Sequence, residues 1–210
     1  MSVRARILKI FMAPMMSYLA KASTIKEQRT KFEKISGMTK LAKDVEIKSQ
    51  QVNGIPIEWI TTPQVNPDHI ILYIHGGGYT LGLYNSQRDF ISRLGRAAGM
   101  QVLAVDYRLA PEHTFPASLE DATIAYRWLL SEGYESVRIV FAGESSGGGL
   151  ALATLINLRD AGDYLPACAV CFSPQTDLAL TGQSVKTKAK ADVVNRPFDV
   201  SGNAARYAGK

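Results

Sequence analysis

The 210-residue sequence predicts an α/β domain: a mostly parallel sheet with helices on both faces. Three observations carry this. Apolar runs of strand length alternate with stretches of helical periodicity, the order that βαβ crossovers require. The runs "HIILYIH", "MQVLAVDYR", "VRIVFAG" and "ACAVCFSP" lack polar alternation, as strands buried on both faces do. Finally, 46% apolar and 20% charged residues over this length suit one domain with a substantial core.

The elements follow in order. In "MSVRARILKIFMAPMMSYLAKAS", Ile7/Leu8, Phe11/Met12, Met15 and Tyr18/Leu19 recur at helical spacing and predict an amphipathic helix. The basic start, the short apolar run and Ala20-x-Ala22 also resemble a signal peptide, although Pro14 interrupts the run. "VEIKSQQVNGIPIEWITT" reads as a hairpin turning at Asn53-Gly54. Next come the strand "HIILYIH", the helix "SQRDFISRLGRAAG" and the strand "MQVLAVDYR". "SLEDATIAYRWLLSEG" is a helix with Ser118 and Asp121 available as caps and Gly133 as its end. "VRIVFAG", "SGGGLALATLINLRDAG" and "ACAVCFSP" complete a strand, helix and strand. The boundaries of the core are expected near residues 45 and 178, where composition turns basic.

Charge is unevenly distributed. Residues 1–48 hold 11 basic and 4 acidic side chains, 49–180 hold 7 and 13, and 181–210 hold 6 and 2. Basic ends without interleaved aromatics read as solvated helix faces, not as a nucleic-acid surface. Cys168 and Cys171 lie in an apolar strand, so they read as core cysteines pointing to opposite faces instead of a redox pair. Nothing here requires an oxidising compartment, and the expectation is a cytoplasmic protein, with membrane association left open.

Gly143-Glu144-Ser145-Ser146-Gly147 fits G-x-S-x-G between a strand and a helix. A serine on such a sharp turn is presented at the end of the sheet, and its neighbours must be small for the chain to pass. The positive end of the following helix suits a developing oxyanion. Ser145 is therefore the candidate nucleophile, and the Ser146 N–H a candidate oxyanion donor. His75-Gly76-Gly77-Gly78-Tyr79 follows another strand, and its glycines let backbone N–H groups approach a ligand closely. No Lys-Ser/Thr follows and G-x-G-x-x-G is absent, which argues against phosphate or dinucleotide binding.

These segments, "HGGGY" (75–79), "DYRLAPEHTFPASLED" (106–121) and "GESSGG" (143–148), occur in the order of one family, followed by "SPQTDL" (173–178). The sequence resembles the hormone-sensitive-lipase-like branch of the α/β-hydrolases, marked by GDXG and HGGG motifs, from about residue 45 to 190. Relatives mostly have Asp or Thr where Glu144 stands, and commonly Trp where Gln175 stands. The resemblance implies Ser145 as nucleophile and Gly76, Gly77 and Gly78 with Ser146 as the oxyanion hole. It makes His75, Gly143, Glu144 and Gly147 structural parts of the motifs, and His113 likewise. It also implies a helical cap from residues 1–45 and the start of a second cap segment in 181–210, around a core at 46–180. In that cap the apolar face of the N-terminal helix would line an acyl pocket.

A serine hydroxyl needs a general base oriented by a carboxylate. This fold supplies them after the nucleophile, but no histidine follows His113. Asp177, Asp192 and Asp199 match no acid motif of the family. Relatives continue through two further strands that carry the acid and the base, so the expectation is a C-terminally truncated core, poorly soluble and of doubtful activity. The activity implied is that of a serine carboxylesterase or lipase on short- to medium-chain acyl esters, working through an acyl-enzyme without metal or cofactor. The alternatives are a non-catalytic ligand-binding or receptor-like protein on the same fold, and an amidase or peptidase.

Overall fold

The chain enters its sheet through the expected hairpin. Strand β1 (Glu46–Val52) pairs antiparallel with β2 (Ile55–Thr61), and Val52 faces Ile55 across the turn. Asn53 and Gly54 take φ of 50° and 82°, the two successive positive values that a two-residue hairpin loop of this twist demands. The computed structural model describes residues 3–192 and 200–210. The remaining strands are β3 (Asn66–Ile74), β4 (Met100–Val105), β5 (Ile139–Glu144) and β6 (Cys168–Phe172). The sheet order is β1-β2-β4-β3-β5-β6. β2 meets β4 antiparallel, and β4, β3, β5 and β6 run parallel.

Each parallel step is made by a helix: α3 (Asn85–Ala98) between β3 and β4, α4 (Ala117–Ser131) between β4 and β5, and α5 (Ser146–Ala161) between β5 and β6. Because side chains alternate along a strand, β3 feeds two cores. Ile70, Leu72 and Ile74 join Tyr126, Leu129, Phe141 and Leu150 beneath α4 and α5. Ile71 and Tyr73 join Ile91, Val102 and Ala104 beneath α3. The unbroken apolar run of β3 is thus explained by helices on both faces. Gly99, Gly133 and Gly162 follow their helices with positive φ, the conformation that lets a left-handed residue close the last turn.

Beyond these elements lie α1 (Val3–Ala20), α2 (Ile25–Ser36), α6 (Gln183–Thr187) and α7 (Val200–Ala208), the last sending Tyr207 into the first core. The Thr24 hydroxyl caps α2 by accepting from the Glu27 N–H at 3.1 Å, and the Glu27 carboxylate accepts from the Ser23 N–H at 2.8 Å. The face presented by α1 differs from the one its periodicity suggested. Met16 and Leu19 are buried, whereas Ile7, Phe11 and Tyr18 stand exposed. The helix reaches the body of the protein through its C-terminal half, so helical spacing alone misplaced the contact.

Two further expectations change. Asp121 does not cap α4, for its carboxylate accepts from the N–H and Nε of Arg108 at 2.7 and 2.9 Å. Cys168 is not a core residue. β6 is the last strand of the sheet, and Cys168, Val170 and Phe172 face solvent while Cys171 is half-buried. Asp199 lies outside the described residues. No described helix is long and apolar enough to cross a membrane.

Candidate active site

Ser145 stands between β5 and α5 with φ 54° and ψ −122°, a conformation that side-chain-bearing residues adopt only when their surroundings enforce it. The surroundings here do so. The Ser145 N–H donates to Phe172 O at 3.0 Å, and Ser145 O accepts from the N–H groups of Gly149 and Gln175 at 3.1 and 2.8 Å. The small neighbours are a steric necessity. A β-carbon on Gly147 would stand 2.1 Å from Ile74 O, and one on Gly143 would stand 2.6 Å from Gly147 O.

The glycine loop after β3 lies against this turn. Gly77 and Gly78 have φ of 123° and 64°, values that favour glycine. The three loop glycines are not equivalent. The Gly76 N–H donates to Glu144 Oε1 at 2.8 Å. The Gly78 N–H donates to Ser146 Oγ at 2.9 Å, with the Tyr79 N–H at 3.4 Å from the same oxygen. Among the described residues, only the Gly77 N–H of the three has no acceptor, and the Ser146 N–H belongs to the first turn of α5, where helices leave donors unspent.

Glu144 is more than a spacer. Its carboxylate accepts from the Tyr73 hydroxyl, from the Gly76 N–H, and from Gln87 Nε2 at 3.3 Å. Burial, and then the Glu144 charge, hold the Tyr73 hydroxyl well above its ordinary range, so it remains a donor. One carboxylate therefore ties β3, the glycine loop, α3 and the serine turn together.

His75 is turned away from Ser145. Its ring is fully buried and stacks on Tyr107 at 4.2 Å, with Nδ1 2.8 Å from Gly76 O and Nε2 facing Asp106 Oδ1 at 3.7 Å. Burial pushes the Asp106 carboxyl up, but the His75 ring, the Leu83 N–H and the Arg88 charge together leave it below the usual carboxylate range. Tyr107 also donates to His75 O at 2.8 Å, so this histidine serves as a prop for the loop. His113 is exposed and His69 sits half-buried on β3. The Asp177 carboxylate accepts from Thr181, Ala179 and Gly182 N–H groups within its own loop.

Ser145 opens into a cavity of about 250 Å³. Met16 of α1, Phe32 of α2, Leu81, Tyr84 and Val200 of α7 supply apolar walls. Gln175 and Asn203 supply carboxamides, while Gly77 and Gly78 reach it from the loop. No histidine among the described residues lines this cavity. Among the described residues no group of three or more His, Cys, Asp and Glu is arranged to hold a metal ion. Sequence reasoning named Ser145 and the loop but missed Phe32, Gln175 and Asn203. Only Gln175, standing where relatives commonly have Trp, had a signal in the sequence.

Comparison with known proteins shows the family and the fold. A family described by the alpha/beta hydrolase fold matches residues 71–206. An acetyl-hydrolase of Streptomyces hygroscopicus is 47% identical over 150 residues, covering 71% of this chain and 50% of that protein. An esterase of Acinetobacter venetianus is 34% identical over 71% of this chain and 49% of its own length. The crystal structure of an esterase from the bacterial hormone-sensitive lipase family superposes with a TM-score of 0.91 at 42% identity, over 96% of this chain and 68% of that one. The chain spans about half the length of the curated relatives it matches.

Proposed function

The chain belongs to the α/β-hydrolase fold family, in its hormone-sensitive-lipase-like branch, and from that premise we propose that it carries the nucleophile half of a serine carboxylesterase. The observation that carries this reading is the strained Ser145 facing an apolar cavity beside the Gly77 and Ser146 N–H groups. In the proposed reaction, Ser145 Oγ attacks the carbonyl carbon of a short- to medium-chain acyl ester. The hydroxyl proton passes to a base, which for these residues is solvent or added imidazole, and the carbonyl electrons move onto oxygen, which those N–H groups receive. The carbonyl then re-forms as the ester C–O bond breaks. The leaving oxygen takes up a proton and departs as the alcohol, and the acyl-enzyme remains. A small ester is the substrate, and the chemistry needs no metal or cofactor. Residues 1–45 and 181–210 act as the cap, which is supported by the contribution of Met16, Phe32 and Val200 to the cavity wall.

These 210 residues alone are proposed to turn over esters poorly, because both ring nitrogens of His75 face other groups and no histidine lines the cavity. Removing the histidine of a serine triad costs about 10⁶ in kcat. The oxyanion hole and binding alone leave about 10³–10⁴ over water. Imidazole tests this directly, as a small base able to enter the cavity. Hydrolysis of p-nitrophenyl butyrate is expected to be slow, and to rise with imidazole well above the same reaction of Ser145→Ala. Equal rates for the two proteins at every imidazole concentration would sink the esterase reading. A ligand-binding protein without turnover is favoured by one observation, the cavity without a histidine, and predicts no imidazole rescue with acyl ligands still bound.

A further inference from the structure

Asn203 reaches the cavity from α7, remote in sequence from every motif. It is 9% exposed. Arg206, one turn later, donates from Nη1 to Asn203 Oδ1 at 2.8 Å. A guanidinium has only donors, so this bond identifies which end of the carboxamide is oxygen. The other end, Nδ2, lies 2.7 Å from the place a β-carbon on Gly78 would occupy. Among the described residues Nδ2 has no acceptor, although it stands beside the oxyanion loop in the cavity that holds Ser145. The helix is held there by the Tyr79–Tyr207 stack at 3.9 Å and by the Phe115 N–H, which donates to Tyr207 O at 2.7 Å.

At the same spot the Gly78 N–H is turned onto the Ser146 hydroxyl. Nδ2 opens to the cavity instead of onto a protein acceptor, and an oxygen of a bound ligand would complete its hydrogen bonding. We propose that Asn203 is a substrate-contacting residue, its Nδ2–H donating to the carbonyl oxygen of the acyl group at Ser145 alongside the Gly77 and Ser146 N–H groups. This rests on the reading of the cavity as an ester site. It assigns α7 a direct part in recognition: Arg206 orients the carboxamide, and the carboxamide meets the oxygen on which charge develops. Loss of one donor from such a hole lowers kcat by about 10²–10³.

Binding of the product carboxylate tests the contact without requiring turnover. Butyrate is titrated into the 210-residue chain and its Asn203→Leu, Asn203→Asp and Asn203→Gln variants, followed by amide resonances of Gly77 and Ser146. Leucine keeps the volume without the donor and is expected to weaken butyrate about tenfold. Aspartate can retain the partnership with Arg206 but offers only acceptors, so saturable binding is expected to vanish while the melting temperature stays near wild type. Glutamine, which retains a donor, is expected to bind better than leucine. Wild-type affinity in both the leucine and aspartate variants would overturn the proposal and leave the ester-site reading standing. Failure of the unsubstituted chain to bind butyrate at Gly77 and Ser146 would overturn both.

Discussion

Glu144 shows how much one side chain can organise. Its carboxylate meets Tyr73, Gly76 and Gln87 from three separate elements, so the position of the glycine loop relative to Ser145 depends on its reach. Glu144→Ala would leave the Gly76 N–H and the Tyr73 hydroxyl without their acceptor in a largely buried place. The expected loss of stability is about 2–3 kcal/mol, the cost of stranding buried donors, measured as a lower urea midpoint. A stability change below a few tenths of a kcal/mol would mean that water replaces the carboxylate freely. The glycines beside it were legible in the sequence for the same steric reason: at Gly143 and Gly147 the backbone itself fills the space of a β-carbon. The partners of Glu144 were not, because nothing local to "GESSGG" announces a tyrosine on β3 or a glutamine on α3.

At the scale of elements, α2 is fastened from both ends of one face. Arg29 donates from Nε to Thr80 O at 2.7 Å, from Nη2 to Ala110 O at 2.9 Å, and to both carboxylate oxygens of Glu112 at 2.8 Å. Ser36, two turns later, accepts from the Ser86 N–H at 2.6 Å. Phe32 lies between them on that face and stacks on Tyr84 at 6.1 Å, forming part of the cavity wall. Arg29→Ala removes the first fastening, and hydrogen bonds to charged groups contribute about 1.5–3 kcal/mol. Trypsin should then cut at Lys31 or Lys34 about tenfold faster, since local cleavage follows the population of the opened helix. Unchanged cleavage there would show that Ser36 and the Phe32 stack hold α2 by themselves. The charge pattern of residues 1–48 read as solvated faces, and Arg29 was hidden among them. Only the fold reveals which lysine or arginine turns inward.

For the whole molecule the sheet's free edge is decisive. Among the described residues β6 pairs only with β5, and its Val170 and Phe172 are 43% and 37% exposed. An apolar edge strand with unpaired backbone groups is a template for another chain. The 210-residue protein is therefore expected to self-associate as concentration rises, and Val170→Lys to shift its sedimentation toward monomer. A monodisperse, cooperatively unfolding monomer at high concentration would contradict this. The edge also explains Cys168: an apolar run reads as buried, but a strand covered on one side leaves every second residue to solvent.

The sequence by itself determined the alternation of strands and helices, the Asn53-Gly54 turn, the Ser145 elbow and the glycine loop. Each depends on local rules: periodicity, positive φ, and the space a β-carbon would need. Only the tertiary structure decided that Gly76 and Gly78 spend their N–H groups on Glu144 and Ser146 while Gly77 keeps its own. It alone decided that His75 faces Asp106 and not Ser145, and that Asn203 enters the site. The physical reason is that a hydrogen-bond donor or a cavity wall is defined by what stands opposite it. What stands opposite is supplied by segments tens of residues away, whose approach is set by packing and leaves no pattern in the local sequence.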